Sequence, residues 1–309
     1  MRAAHTYRMD SSLPRILILG AHGGLGRALT RHLAPRFEVT AWTRAELDVT
    51  DARAIASRLA AQPFDVLLNT SGITRPDDCE EHPERARVVN AEAPRHLARA
   101  CRIKGARLIH FSTGYVFDGE SRRMWAEDDP AVPVNCYGRT KLEGELAVLA
   151  EHPGALVARV TWLFGPDKDS HPDQMIARAL HAAEIRAADD TTSSPTFTQD
   201  LCVWIEHLIT HHPQACGLLH LCNSGSTSWH GWAQAALEIA ADCGAPLRTT
   251  RVTPAPLSSV VSFKARRPPH TGLLTDRFTQ ITGLTPRPWR EALADHIASK
   301  QRLICAAAE

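Results

Sequence analysis

The sequence predicts an α/β protein built on a doubly wound (Rossmann), mostly parallel sheet, with a small C-terminal lobe. Short apolar runs alternate with stretches of helical apolar spacing, the order expected of strands joined by crossover helices. The first apolar run, residues 15–19, leads directly into a glycine-rich turn and a helix. A chain that starts in this way is typical of a dinucleotide-binding fold.

The length of the chain allows more than one structural unit. Its 309 residues, of which 44% are hydrophobic, suffice for one large α/β domain or for a domain with a smaller lobe. We expect a dinucleotide-binding core over residues 15–165. Residues 166–309 are expected to complete that core and to form a substrate-binding lobe, which is marked by proline clusters at 254–256 and 268–269.

Charge and hydropathy argue against several function classes. Lys and Arg number 35 against 34 Asp and Glu, and this net charge of +1 gives no electrostatic case for nucleic acid or an anionic membrane. No apolar run approaches the ~18 residues that a membrane span needs. Residues 1–14 carry charge and no apolar signal core, so we expect a flexible leader on a cytoplasmic protein.

Cysteine and histidine usage indicates neither disulfides nor a metal. The eight cysteines include no Cys-x-x-Cys pair and several lie in apolar runs, so we expect reduced core residues. The 16 histidines show no arrangement that we interpret as a ligand set, and no metal site is predicted.

The glycine-rich turn after the first strand predicts a phosphate site. Glycines permit a tight turn and let the backbone approach a pyrophosphate at the positively polarised start of the following helix. The residues predicted to bind the cofactor here are Gly20, Gly23, Gly24, Leu25 and Gly26.

The second predicted strand, residues 38–42, ends in Thr43 and Arg44. NAD-selective folds commonly place a carboxylate near this point, whereas an arginine suits a 2′-phosphate. We therefore predict NADPH as the cofactor, with NADH as the alternative. Asp48 is expected to accept a hydrogen bond from the adenine amine, and Asp51 to cap the next helix.

The third and fourth predicted strands, residues 65–69 and 108–111, also end in small polar residues. The small residues of 70–74 leave room for a cofactor beside the strand ends. Asn90, on the helix between these strands, is a candidate cofactor residue, with an ordinary core asparagine as the alternative. A hydroxyl after the fourth strand could hydrogen-bond a substrate carbonyl.

Tyr137 and Lys141 put a phenol and an amine four residues apart. On a helix these positions share one face. A lysine cation beside the phenol is expected to lower the pKa of the tyrosine towards working pH. Tyr137 is therefore a candidate proton donor or acceptor for a carbonyl and alcohol pair.

Taken together, these stretches resemble the extended short-chain dehydrogenases/reductases, and among them the dTDP-4-dehydrorhamnose reductase family and its relative, the methionine adenosyltransferase regulatory β subunit. The resemblance covers roughly residues 15–300. Its matching stretches include Gly20-x-x-Gly23-x-x-Gly26, Leu47-Asp48-Val49-Thr50-Asp51, Val89-Asn90-Ala91-Glu92-Ala93, Ser112-Thr113-x-Tyr115-Val116-Phe117-Asp118-Gly119, Tyr137-Gly138-x-Thr140-Lys141 and Ala265-Arg266-Arg267-Pro268.

The resemblance implies a role for each candidate residue. Thr113 would be the catalytic hydroxyl, Tyr137 the acid, and Lys141 the residue that holds the nicotinamide ribose. It places Asp48 and Val49 at the adenine. It assigns the ribose side to Thr70, Ser71 and Gly72. The predicted substrate-binding residues are Thr74, Gly114, Tyr115, Trp162 and Arg266. The implied substrate is a dTDP-linked 4-keto-6-deoxy sugar.

Four stretches depart from the family pattern. The carboxylate beside the catalytic hydroxyl is replaced by Gly114, and an alanine run is replaced by residues 70–72. Residues 168–173 and 190–194 replace two further family motifs, both expected where the nucleotide-sugar binds. An altered substrate is therefore an alternative, because losing a polar contact that matches a substrate group costs ~1–3 kcal/mol.

Other functions stay open at this point. The chain could be an NADP-binding regulatory subunit of a partner enzyme, without turnover of its own. It could also be a nucleotide-sugar epimerase or dehydratase with tightly held NAD, although Arg44 weighs against this reading. A homodimer is suggested only by analogy with related folds.

Overall fold

The structure is a computed structural model that describes residues 13–260 and 263–306. Most of the predicted flexible leader, residues 1–12, lies outside the described residues. The strands in chain order are β1 (Ile16–Leu19), β2 (Val39–Trp42), β3 (Val66–Asn69), β4 (Arg107–Thr113), β5 (Leu156–Val160), β6 (Leu163–Phe164), β7 (Ile185–Ala188), β8 (Thr192–Ser193), β9 (Thr196–Phe197), β10 (Gly217–His220), β11 (Thr227–Ser228) and β12 (Val252–Ala255).

The α-helices in chain order are α1 (Gly24–Leu33), α2 (Ala52–Ala61), α3 (Pro76–Glu81), α4 (Pro83–Arg87), α5 (Ala93–Lys104), α6 (Cys136–Glu151), α7 (His171–Ala179), α8 (Thr198–Thr210), α9 (Trp229–Asp242), α10 (Leu257–Val260), α11 (Asp276–Thr282) and α12 (Trp289–Ala306). A π-helical turn, Val88–Glu92, joins α4 to α5, and a 3₁₀ turn, Gly114–Val116, follows β4. The apolar spacing of Val89, Ala93, Leu97 and Cys101 predicts one long helix, which the structure divides into the π turn and α5.

Six parallel strands form the central sheet, in the order β2-β1-β3-β4-β5-β10. The predicted doubly wound parallel sheet is confirmed. The order reverses at β1, since β2 lies on one side of it and β3 on the other. In open α/β sheets, ligands bind outside the carboxyl ends of the strands at such a reversal. This position lies between the glycine turn after β1 and the residues after β3.

Strand β1 is apolar throughout because both faces of the sheet are covered there. Side chains of a strand alternate between the two faces. Ile16 and Ile18 pack in one core cluster with residues of α1 and α8, whereas Leu17 and Leu19 pack in another with α2 and α5. Strand β1 is therefore buried on both sides, as the short apolar run predicts.

Helix starts follow the local sequence signals. The carboxylate of Asp51 accepts hydrogen bonds from the backbone N–H groups of Arg53 and Ala54 at 2.9 Å, as predicted for the N-cap of α2. Asn135 caps α6 through Gly138 N at 2.8 Å. The Asn135 cap fixes the start of α6, the helix that carries Tyr137 and Lys141.

The C-terminal half contributes to both the central sheet and a smaller lobe. Strand β10 joins the main sheet beside β5. Strands β7 and β12 pair in parallel, and a third core cluster that includes Phe164, Trp232 and Leu293 packs beneath them. The division of the chain at residue 165 stays a prediction. No helix among the described residues is long and apolar enough to cross a membrane.

Candidate active site

A cleft lies at the carboxyl ends of the central strands. It consists of a main cavity of about 470 Å³ and a second cavity of about 340 Å³, which share Gly23, Thr70, Ser71 and Gly72 in their walls. The predicted site residues that line the main cavity are Gly23, Gly24, Leu25, Gly26, Thr70, Ser71, Gly72, Thr74, Thr113, Tyr115, Tyr137, Lys141 and Trp162. Those in the second cavity also include Gly20, Thr43, Arg44, Asp48 and Val49.

The glycine turn has no room for side chains. Gly20 has a φ of +79°, and a Cβ atom on Gly26 would lie 2.4 Å from the Gly20 carbonyl oxygen. Helix α1 starts at Gly24 with no acidic residue in its first turn. Its first N–H groups therefore face the cleft with the positive end of the helix dipole, which suits an anion such as a pyrophosphate.

Arg44 and Asp48 form an ion pair at the wall of the second cavity. One oxygen of Asp48 accepts from Arg44 Nη2 at 2.8 Å, and the other accepts from the backbone N–H and hydroxyl of Thr50 at 3.0 and 2.8 Å. The hydrogen bonds from Thr50, and then that from Arg44, lower the pKa of Asp48 to about 2. Asp48 therefore stays ionised and holds the guanidinium of Arg44 at the cavity.

The residues after β3 are held by a buried amide. The side-chain oxygen of Asn69 accepts from the backbone N–H of Ser71 at 3.2 Å, and its nitrogen contacts Nδ1 of His110 at 2.9 Å. The Thr70 hydroxyl donates to the Leu19 carbonyl at 2.6 Å. Asn69 is a positioning residue that the sequence analysis did not single out. Its place at the end of a buried strand is the signal that could have identified it.

The main cavity is lined on one side by Thr113, Tyr137 and Lys141. The Thr113 hydroxyl is in hydrogen-bond contact with the Tyr137 phenol. Lys141 Nζ donates to the carbonyl of Phe111 at 2.7 Å, at the carboxyl end of β4. Tyr137 is only 9% exposed and Lys141 only 5%. The arrangement presents a proton-bearing phenol, a second hydroxyl and an amine to one side of the cavity.

The predicted effect of Lys141 on the pKa of Tyr137 is wrong. Burial raises the pKa of Tyr137 well above its ordinary value, and the hydrogen bond to Thr113 offsets this only in part. Burial also lowers the pKa of Lys141 to about 8, against the opposing attraction of Glu145. In this dry site, burial dominates the pKa of both groups, and neither group contributes to the pKa shift of the other.

A buried ion pair lies behind Lys141. Glu145, one turn further along α6, accepts from Arg159 Nη2 at 2.7 Å, and both side chains are almost completely buried. The guanidinium of Arg159 also lies 5.1 Å from the ring centroid of Phe117. Glu145 thus places a negative charge near the amine from the side away from the cavity. Its i+4 spacing from Lys141 is visible in the sequence, but its buried partner is not.

Trp162 has a strained backbone at the boundary of the main cavity. Its φ is +39°, which non-glycine residues rarely adopt, and such strain clusters at functional sites. Its ring stacks on Trp232 with centroids 5.4 Å apart and meets Trp229 edge-on at 5.7 Å. Trp162 also lines a smaller neighbouring space, the aromatic recess, whose walls include Tyr115, Trp229, Phe263 and Arg267.

Gly114 is packed too closely for any side chain. A Cβ atom there would lie 2.6 Å from Cγ2 of Thr161 and 3.0 Å from the carbonyl oxygen of Thr271. The Thr161 side chain and the Thr271 backbone thus fill the space that the carboxylate of the family pattern would need. Gly114 lines none of the cavities described above, so the structure does not place it in contact with a substrate.

One predicted substrate-binding residue, Arg266, lies away from these cavities. The side chain of Arg266 is 65% exposed, pairs with Glu120 at 2.9 Å, and lines none of these cavities. Its neighbour Arg267 lines the aromatic recess instead, 4.1 Å from the ring centroid of Phe263. The direction of adjacent side chains in a loop cannot be read from sequence, and a contact between Arg266 and a substrate stays a prediction.

Asn90 is a core asparagine, the alternative considered from the sequence. Its side chain accepts from Ile73 N at 2.9 Å and donates to Ile73 O at 3.0 Å, and it is 1% exposed. It therefore fixes the loop after β3 from behind rather than lining a cavity.

Histidines provide one feature that the sequence analysis overlooked. His207 and His211 lie one helical turn apart, and their rings stack with centroids 4.5 Å apart. Across residues 13–260 and 263–306, no group of three or more His, Cys, Asp or Glu side chains is arranged to hold a metal ion.

Comparisons with known proteins agree with this geometry. The model of the RmlD substrate binding domain matches residues 14–302. A probable dTDP-4,6-dihydroxy-2-methyloxan-3-one 4-ketoreductase of Streptomyces antibioticus is 40% identical over 285 residues, covering 91% of this chain and 94% of the relative. A dTDP-4-dehydrorhamnose reductase of Mycolicibacterium smegmatis is 39% identical over 297 residues, covering 94% and 88%.

A solved structure shares the whole architecture. The dTDP-4-dehydrorhamnose reductase of Bacillus anthracis, solved in complex with NADP, superposes with a TM-score of 0.86 at 27% identity, covering 93% of this chain and 99% of that one. The prediction of an oxidoreductase of the short-chain dehydrogenase/reductase class is confirmed. The chain belongs to the RmlD substrate binding domain family, together with the dTDP-4-dehydrorhamnose reductases that it resembles in sequence and fold.

Proposed function

We propose that the protein is an NADPH-dependent reductase that converts the 4-keto group of a dTDP-linked 6-deoxy sugar to an alcohol. The observation that carries this proposal is the convergence of Thr113, Tyr137 and Lys141 on a cavity that continues into the glycine turn. The cofactor assignment is supported by the NADP complex of the Bacillus anthracis reductase and by the exposed guanidinium of Arg44 at the second cavity.

The residues present fit a dinucleotide. A Cβ atom on Gly26 would collide with the turn, so the backbone there is free of side chains that would block a pyrophosphate. Thr70, Ser71 and Gly72 form the wall common to both cavities, where a ribose would cross from one to the other. When bound, NADPH would supply the hydride that is added to the carbonyl carbon.

The side chains then have distinct roles. The raised pKa of Tyr137 keeps the phenol protonated at neutral pH, so it can donate its proton to the oxygen as negative charge develops there. Thr113 donates a second hydrogen bond to the same oxygen. Lys141, fixed by the Phe111 carbonyl, holds the ribose. Positioned acid catalysis of this kind is worth ~10²–10⁴ in rate.

The substrate class follows from the relatives rather than from any single contact. Both relatives named above carry names that describe reduction of a dTDP-linked ketone. Trp162, with its strained backbone and stacked ring, lines the main cavity and would contact the sugar nucleotide there. Because Gly114 leaves no carboxylate beside Thr113, we propose that the sugar is recognised here through uncharged groups.

The test is turnover by the purified protein. NADPH oxidation is followed with dTDP-4-dehydrorhamnose and with its 2-deoxy analogue, for the wild type and for Tyr137→Phe. We expect turnover that the variant loses while NADPH binding, measured by fluorescence, is retained. Tight NADPH binding without turnover on either ketone would contradict the reductase assignment and would favour a regulatory subunit.

A further inference from the structure

Lys168 lies across the glycine turn, although it is 144 positions further along the chain than Gly24. It lines the main cavity together with Gly23 and Gly24. A Cβ atom on Gly24 would lie 3.1 Å from Cβ and 3.7 Å from Cδ of Lys168. The aliphatic part of the lysine therefore crosses the first residue of α1. The sequence analysis expected the 168–173 stretch at the nucleotide-sugar, whereas this lysine meets the predicted pyrophosphate site.

The backbone on either side of Lys168 is anchored. Both oxygens of Asp167 accept from the guanidinium of Arg31 on α1, one of them at 2.7 Å, and the Asp167 side chain is only 9% exposed. Asp169 accepts from Lys300 at 3.2 Å. Lys168 is thus carried by a short segment that is tied to α1 on one side and to α12 on the other.

The flanking residues Asp167 and Asp169 form ion pairs within the protein, whereas Lys168 forms none among the residues that the structure describes. Among the ion pairs of the residues that the structure describes, none has Lys168 as its cation. The side chain is exposed at the edge of the cavity, next to a helix start that lacks acidic residues. The helix dipole and the free N–H groups at the start of α1 create a positive potential that favours an anion. The ammonium group of Lys168 strengthens that potential.

We propose that Lys168 binds the pyrophosphate of the dinucleotide and holds it against the glycine turn, as a cofactor-binding residue supplied by the C-terminal half of the chain. The proposal rests on the proposed function, since it concerns the same cofactor. A diphosphate also occurs in dTDP-linked sugars, but the contact with Gly24 favours the cofactor. The remaining residues of the stretch serve the fold, because Ser170 and Asp173 form the capping box of α7.

The experiment measures binding in the absence of substrate by isothermal titration calorimetry. Wild type, Lys168→Gln and Lys168→Arg are titrated with NADP⁺, adenosine 2′-monophosphate and dTDP. We expect Lys168→Gln to weaken NADP⁺ binding by about three- to tenfold, the range for an exposed charged contact, and Lys168→Arg to restore most of it. Binding of adenosine 2′-monophosphate and of dTDP should not change, because neither ligand places a pyrophosphate at the glycine turn.

Arg44→Gln provides the matched control. It should weaken both NADP⁺ and adenosine 2′-monophosphate, since its guanidinium lies at the other cavity. Unchanged NADP⁺ affinity in Lys168→Gln would overturn the proposal, as would a loss confined to dTDP. If the wild type bound no NADP⁺ while binding dTDP, the proposed function itself would fail. Thermal unfolding of each variant should match the wild type, because both side chains are exposed.

Discussion

A Cβ atom on Gly114 would lie 2.6 Å from Cγ2 of Thr161. The glycine that replaces the family carboxylate is therefore required by the packing around it. The absence of a side chain at Gly114 and the presence of the Thr161 methyl group therefore depend on each other. Restoring the family residue at Gly114 alone would not restore the family site.

We expect Gly114→Ala to destabilise the protein by ~1–3 kcal/mol, because it forces atoms into a filled space. In a Thr161→Ser background, which removes Cγ2 but keeps the hydroxyl that donates to the Ser194 carbonyl, part of that loss should be recovered. The Thr271 carbonyl at 3.0 Å limits the recovery. Urea unfolding of the two single variants and the double variant measures the coupling. Equal stability of Gly114→Ala and the wild type would contradict the steric argument.

The amine of Lys141 should make stability depend on pH in the alkaline range. Burial lowers its pKa to about 8 from the ordinary lysine value of 10.5. Between these two values the unfolded chain binds a proton that the folded chain does not, so the free energy of unfolding rises with pH. Below about pH 8 both the folded and the unfolded chain bind this proton, so the contribution of Lys141 to the free energy of unfolding does not vary with pH.

We therefore expect the stability of the wild type relative to Lys141→Met to increase as pH rises from about 8 towards 10. Urea unfolding at a series of pH values in that range tests this for both proteins. A difference between the two proteins that does not vary with pH would show that burial does not perturb the amine.

Glu145→Gln should cost ~3–5 kcal/mol of stability, because it removes the hydrogen-bonded counter-charge of the buried Arg159 guanidinium. The double variant Glu145→Gln/Arg159→Met removes both charges and should regain much of the loss. A double-mutant cycle in urea gives the coupling energy. If the double variant is no more stable than Glu145→Gln, the pair is not the source of the effect.

Arg44→Gln should reduce the preference for NADPH over NADH about tenfold, with the change confined to NADPH. The guanidinium is 72% exposed, so the contact with a 2′-phosphate would be screened by salt. Fluorescence titrations with both cofactors at low and high ionic strength measure this. An equal loss for NADPH and NADH would instead indicate a general effect on the second cavity.

Local signals in the sequence are sufficient for much of the fold and for the placement of Tyr137 and Lys141 on one helix. The glycine turn, the strand ends and the cap Asp51 depend on neighbours within a few residues, and the structure has them where the pattern predicts. The spacing of Tyr137 and Lys141 likewise requires only that α6 be helical.

The remaining features depend on contacts between distant parts of the chain. Thr161 at Gly114, Arg159 at Glu145 and Lys168 at Gly24 each join separate elements, and no periodicity within one element reveals them. The prediction for the pKa of Tyr137 is wrong for a related reason. Burial sets this pKa, and the burial of a side chain depends on contacts between distant parts of the folded chain.

The anchoring of the 165–169 segment on α1 has a kinetic consequence. Arg31 and Asp167 are 136 positions apart, and Trp125 donates to the carbonyl of His270 across 145 positions. Closing such long loops is entropically unfavourable and slow, so these contacts should form after the locally connected strands and helices. On refolding from urea, the circular-dichroism signal of the helices should therefore return before the capacity to bind a dinucleotide.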